Sequence, residues 1–245
     1  MQAFIVMPLA FAAFAATLVG GGLALALRDR LHLVLGFSAG AVIGLAFFDL
    51  LPEAIENAEL FDTRGMLALA ACGFFLYTLL DRALPHGHDH GDGGVPIHAG
   101  HRPRGWLGAG SLSIHSFLDG FAIGVAFQVS QAMGAVVAVA VLVHDFSDGL
   151  NTVNVVVKNG GDRKSALRWL FIDAAAPVVG AVVSLLIPFP KDMISILLAV
   201  FSVFFLYIGA SDLLPESHHA HPRFFTTLAT FLGAATLFVV TRVAG

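Results

Sequence analysis

The sequence predicts an all-α integral membrane protein of eight transmembrane helices. Spans one to three and six to eight form two inverted three-helix repeats around a central pair, spans four and five. Three observations predict this architecture. The chain of 245 residues is 57% hydrophobic and only 12% charged, about half the charged share of a soluble domain. Apolar runs long enough to cross a bilayer recur along it between short polar breaks. The third is a repeat: Asp49-Leu50-Leu51-Pro52-Glu53 returns as Asp212-Leu213-Leu214-Pro215-Glu216.

The apolar runs lie near 4–27, 33–52, 65–83, 106–127, 132–157, 166–187, 193–214 and 224–243. No basic segment precedes the first, which therefore reads as a retained helix rather than a cleaved signal. Arg28-Asp29-Arg30 and the stretch 158–164 are typical breaks; 84–105, rich in Gly, His and Pro, is a longer loop within a single domain covering 1–245. Cytoplasmic loops accumulate Lys and Arg. With an outside N-terminus the inner side holds Arg28, Arg30, Arg82, Arg102, Arg104, Lys158, Arg163, Lys164, Arg168 and Arg223, and the outer side only Arg64, Lys191 and Arg242, ten against three. Both termini are thus expected outside and the 84–105 loop in the cytoplasm, with the chain in the plasma (inner) membrane.

Spans two and seven are five apart and run in opposite directions. The repeated five-residue motif then closes one at the outer surface and the other at the inner surface, the mark of an inverted-topology repeat and a common plan for secondary transporters. Each proline also has an ordinary use as a helix terminator.

Composition excludes other classes. A net charge of -4 with sparse basic residues gives no nucleic-acid surface. Cys72 is the only cysteine, so no internal disulfide or thiolate cluster forms; it reads as a small buried hydrophobe of span three. The phosphate-binding pattern Gly-x-x-x-x-Gly-Lys-Ser/Thr is absent, so an ATP site of that type is not expected.

The chemistry lies in His115-Ser116-Phe117-Leu118-Asp119-Gly120 and His144-Asp145-Phe146-Ser147-Asp148-Gly149. In each, a histidine and an aspartate four residues apart share a helix face near the middle of a span, where ionisable groups are costly and functional by default. Asp173 joins them from span six, and no Lys or Arg sits at that depth. Buried carboxylates without basic partners must be protonated, hydrogen-bonded or matched by a cation. Imidazole nitrogen and carboxylate oxygen suit Zn²⁺, Fe²⁺ and Mn²⁺. A lone histidine on an apolar helix is more often a packing residue; duplication on the next span argues for metal. Proton relay would use the same groups. Asn151 and Asn154 continue the polar face of span five as ligands, path lining or helix cross-bonds. Gly120, Gly124 and Gly149 read as close-packing positions.

Toward the ends, Asp49, Glu53, Glu56, Glu59 and Asp62 make an acidic outer mouth that would concentrate cations, or simply a solvated loop. Asp212, Glu216, His218, His219 and His221 follow at the inner end, where they could receive a departing metal. In the loop, His86, His88 and His90, with His98, His101, Asp89 and Asp92, form either a weak metal-capture segment or a dispensable spacer.

These residues resemble the ZIP (Zrt/Irt-like) family of divalent metal transporters over nearly the whole chain. The family's signatures, His-Asn-x-Pro-Glu-Gly in span four and His/Gln-x-x-Pro-Glu-Gly in span five, are similar in placement to His115–Gly120 and His144–Gly149. Helix-ending Pro-Glu motifs of spans two and seven, including Pro215-Glu216-Ser217-His218, look alike as well. The resemblance implies inverted three-helix repeats around spans four and five and a binuclear metal site between those two. It places ligands at His115, Asp119, His144, Asp145 and Asp148, with Ser116 where the family has Asn. Leu118 and Ser147 replace both signature prolines, and Asp119 and Asp148 shorten both glutamates. Span six has Ala176-Pro177 in place of Glu-Pro, with Asp173 one turn earlier. These departures predict less kinking, altered reach and a site compatible with a single ion.

The expected function is transport of divalent metal, Zn²⁺ first and Fe²⁺ or Mn²⁺ next, toward the cytoplasm. The cation is substrate rather than cofactor, and the partners are metal ions, membrane lipid and, compatibly, a second copy in a homodimer. The alternative is an intramembrane zinc-dependent hydrolase, although His-Glu-x-x-His is absent. A proton-coupled sensor is a third reading.

Overall fold

The computed structural model describes residues 2–26, 32–83, 102–218 and 223–244. The loop histidines His86, His88, His90, His98 and His101, and likewise His219 and His221, lie outside the described residues. Each expected apolar run is a helix: Gln2–Ala26, His32–Glu56 with one interruption, Thr63–Ala83, Arg102–Val129, Gln131–Lys158, Arg163–Leu186, Lys191–His218 with one interruption, and Arg223–Ala244. Seven of them carry a stretch long and apolar enough to cross a bilayer, and span three adds a shorter apolar stretch over Thr63–Leu79. Their outward faces carry large apolar side chains such as Phe4, Phe75, Leu79, Phe171 and Phe231, as lipid contact requires. Cys72 sits on such an outer face, exposed. The expectation of a buried cysteine fails because span three offers one flank to the bundle and the other to the surroundings.

Packing reproduces the inverted repeat. Span four lies along span six as span five lies along span one, and span two lies along span eight as span seven lies along span three. Exchanging spans one to three with six to eight, and four with five, maps each of these pairs onto the other. Two groups result: spans one, four, five and six, and spans two, three, seven and eight. Among the seven longer spans, span five is the most enclosed and span eight the least.

Glycines of the repeated motif set the close approaches. A Cβ on Gly120 would meet the backbone carbonyl of Pro177, and one on Gly180 that of Phe117, across spans four and six. Symmetrically, a Cβ on Gly149 would meet the carbonyl of Thr17, and one on Gly20 that of Phe146, across spans five and one. Backbones in such contact are held by dispersion over their whole crossing.

The Asp-Leu-Leu-Pro-Glu repeats do not end their helices. Each begins inside a π-helical turn, Ala46–Leu50 and Ile208–Leu213, after which α-helix resumes over Leu51–Glu56 and Leu214–His218. The Leu51 amide bonds to the carbonyl of Ala46, and the Leu214 amide to that of Gly209, both five residues back. Proline lacks an amide and its ring clashes with the carbonyl four residues before it. One extra residue in the preceding turn moves that carbonyl aside, so the proline becomes a first-turn residue of a new helical segment. Spans two and seven therefore run past Pro52 and Pro215, longer than expected.

Gly120→Ala is expected to lower stability by about 1–3 kcal/mol, the usual cost of overpacking, whereas Gly22→Ala, whose Cβ would meet nothing within 4 Å, should be neutral or slightly stabilising. Thermal unfolding of the two variants in detergent compares them directly.

Candidate metal centre

His115 stands midway along Arg102–Val129 and His144 midway along Gln131–Lys158. Both helices are unbroken, because Leu118 and Ser147 keep the amides that proline would remove. Each motif therefore presents its histidine and its aspartate, one turn apart, on a face turned to the partner helix. His115, Asp119, His144 and Asp148 are all buried, at most 5% exposed, and converge: one ligand atom from each lies within 4.8 Å of all the others.

The distances define the shape. His115 Nε2 is 3.3 Å from Asp119 Oδ2 and 3.2 Å from Asp148 Oδ2. His144 Nε2 is 3.3 Å from the same Asp119 oxygen and 3.7 Å from that of Asp148. A tetrahedral zinc with bonds of about 2.0–2.1 Å places its ligands about 3.3–3.4 Å apart, so three of these four edges already match. Among the described residues, both oxygens of Asp119, Asp148 Oδ2 and the Nε2 atoms of both histidines have no hydrogen-bond partner. Unpaired lone pairs converging in a buried site are expensive, and a divalent cation satisfies them together.

His144 is oriented for that task. Its Nδ1 lies 2.9 Å from the carbonyl oxygen of Ala140. A carbonyl can only accept, so Nδ1 carries a proton and Nε2 is the ring nitrogen turned toward the cluster, where it offers a lone pair when the ring is neutral. Phe204 and Phe205 of span seven lie against the two imidazoles, with ring centroids 4.9 Å from His115 and 5.5 Å from His144. They close the site with apolar rings.

Asp145 is buried beside the cluster with both oxygens unpartnered among the described residues, its Oδ1 3.9 Å from His144 Nε2. Asp173 is placed differently. It too is buried, but Oδ1 accepts from the Ser116 hydroxyl at 2.9 Å and Oδ2 from the Thr152 hydroxyl at 2.8 Å. It thereby ties span six to spans four and five, and Ser116 points its proton at that carboxylate. Asn151 is half-buried one turn beyond Asp148.

At the mouth, two acidic residues have local tasks. Glu53 accepts from the Asn57 side chain at 2.8 Å, and Asp62 caps span three through the Gly65 amide at 2.8 Å. Asp49, in the first π turn, keeps one oxygen without a partner among the described residues. Asp212, Glu216 and His218 belong to the second π turn and the segment after it.

Sequence reasoning missed Thr152, Ser38 and the two phenylalanines. Thr152 was within reach, being one turn after Asp148 on the same face. Ser38 and Phe204-Phe205 belong to helices whose depth relative to the motif only packing reveals.

The family model described as ZIP Zinc transporter matches residues 85–241, more than half of the chain. The chain is 28% identical over 242 residues to the protein named Zinc transporter ZupT of Corynebacterium aurimucosum, covering 91% of each. It is 29% identical over 223 residues to the one of the same name from Corynebacterium efficiens, covering 82% of this chain and 83% of that one. To the protein named Zinc transporter ZIP13 of Pongo abelii it is 24% identical over 200 residues, 76% of this chain and 58% of the relative.

Ser116→Ala and Thr152→Val each leave a buried Asp173 oxygen unpartnered and are expected to cost about 1–3 kcal/mol, read as lower thermal midpoints in detergent with zinc binding retained.

Proposed function

The chain belongs to the ZIP zinc transporter family of divalent metal transporters, and from that premise we propose that it carries Zn²⁺ toward the cytoplasm through a midplane site of His115, Asp119, His144 and Asp148. The convergence of four buried ligand atoms within 4.8 Å, one from each residue, carries this reading. Fe²⁺ and Mn²⁺, which accept the same nitrogen and oxygen donors, are the secondary substrates. Members of the family are transporters rather than enzymes, which sets the hydrolase alternative aside.

Metal approaches past Asp49 and the acidic turn after Pro52, loses its water to the four donors, and is enclosed by Phe204 and Phe205. Asp145 supplies a further carboxylate as the ion arrives or leaves. The Asp173 brace makes spans four, five and six move as one body, so ligands on two helices keep their geometry while that group shifts against spans two, three, seven and eight. Release then passes toward Asp212, Glu216, His218 and His219, with the histidines of the 84–105 loop, His86, His88 and His90 among them, as cytoplasmic acceptors. In this reading Asp173 and Ser116 serve as a brace, leaving one ion in the midplane site.

Uptake of ⁶⁵Zn²⁺ into proteoliposomes of fixed orientation tests the proposal. His115→Ala and Asp148→Ala should each reduce uptake about tenfold or more, since even the outer partners of metal ligands are worth 10–100-fold. Unchanged uptake in both variants, or movement only from the cytoplasmic side outward, would sink it. Affinity should also fall on acidification, because protons compete for the imidazole and carboxylate lone pairs; equilibrium zinc titrations at stepped pH measure this.

A further inference from the structure

The two helix groups meet most extensively where span two lies along span five. There a polar contact crosses the boundary beside the site. The buried Ser38 hydroxyl of span two donates to the carbonyl oxygen of Val143 at 3.0 Å and accepts from the Ser147 hydroxyl at 3.0 Å. Val143 and Ser147 bracket the turn of span five that begins with His144 and Asp145 and leads to Asp148.

Serines inside helices ordinarily satisfy themselves on a carbonyl three or four residues back in their own helix. Ser113, Ser184 and Ser202 do so here, donating to Ala109, Ala181 and Ala199. Ser38 and Ser147 instead spend their protons across the boundary between the groups. Hydrogen bonds of this length fail once donor and acceptor separate by about half an ångström more. Sliding or tilting of span five against span two therefore breaks both at once, in surroundings where water is not at hand to replace them.

We propose that the Ser38–Ser147–Val143 bridge is a latch that holds the two groups in the closed arrangement and so sets how fast metal exchanges, without touching the metal. The inference rests on the midplane-site reading above. Ser38 is a positioning residue of the carrier cycle, and Ser147, standing where the family signature has proline, is its counterpart on the moving group.

A latch has a kinetic signature that ligand misplacement lacks. Loosening it raises the population of the open form, so binding and release accelerate together while the dissociation constant stays nearly constant. The experiment is stopped-flow Zn²⁺ binding and chelator-driven release on purified protein in lipid nanodiscs, for the wild type, Ser38→Ala, Ser147→Ala and the double variant. Ser38→Ala should speed both phases about fivefold, with Kd within about twofold of wild type. Ser147→Ala, which leaves the Ser38–Val143 bond, should show a smaller rise in both. The double variant should not exceed Ser38→Ala, because both bonds run through the Ser38 hydroxyl. Unchanged rates in the single variants, or faster release alone with a weakened Kd, would overturn the latch. Should Ser38→Ala fail to fold, Ser147→Ala decides between the same outcomes. A wild-type protein that binds no Zn²⁺ would instead refute the midplane site itself.

Discussion

Everything in this structure follows from the need to hold two imidazoles and two carboxylates together away from water. Their lone pairs converge on one small volume, and in a medium of low polarity each is costly unless the others and a shared cation compensate it. Such a cluster survives only if its carriers cannot drift apart. The requirement reaches outward: the helix bearing each pair is pressed to a neighbouring backbone through glycine, the His144 ring is fixed by the Ala140 carbonyl, and the Asp173 carboxylate ties spans four, five and six.

The symmetry of the molecule serves the same end. Spans four and five bring one histidine and one aspartate each, from equivalent positions, so neither helix owns the site. Each is backed by a helix from the opposite repeat, span six behind span four and span one behind span five. The remaining helices form a second group that sets the rings of Phe204 and Phe205 against the imidazoles and the Ser38 hydroxyl against span five. An apolar wall against a polar cluster is a boundary along which motion costs little once the few polar contacts part.

Much of this was legible in the residues. Hydropathy alone located all eight helices, because bilayer-spanning runs are long and the breaks between them carry Arg, Lys and Gly. The doubled His-x-Phe-x-Asp-Gly motif pointed to His115, Asp119, His144 and Asp148, since rare intramembrane charge at helical spacing has few innocent explanations. Depth between helices was not legible. Nothing in Ser38, Phe204 or Phe205 distinguishes them from other small or aromatic residues of an apolar span. Nor could spacing reveal that Ser116 and Thr152 would satisfy Asp173, because that pairing depends on three helices meeting at one level. Cys72 was misjudged for a related reason: an apolar helix at the edge of a bundle carries apolar residues on both flanks.

The two π turns carry a consequence for anyone counting along these helices. An α-helix advances about 100° per residue, so one additional residue in the turn before Pro52, and another before Pro215, rotates all that follows by about that angle. A helical wheel drawn from the start of span two assigns Glu53 and Glu56 to the wrong side of the cylinder, and one drawn from the start of span seven misplaces Leu214 and Ser217 in the same sense. Faces beyond these points have to be counted from the proline. Because both repeats carry the same phase shift at the same step of the motif, the error is invisible when one half is compared with the other.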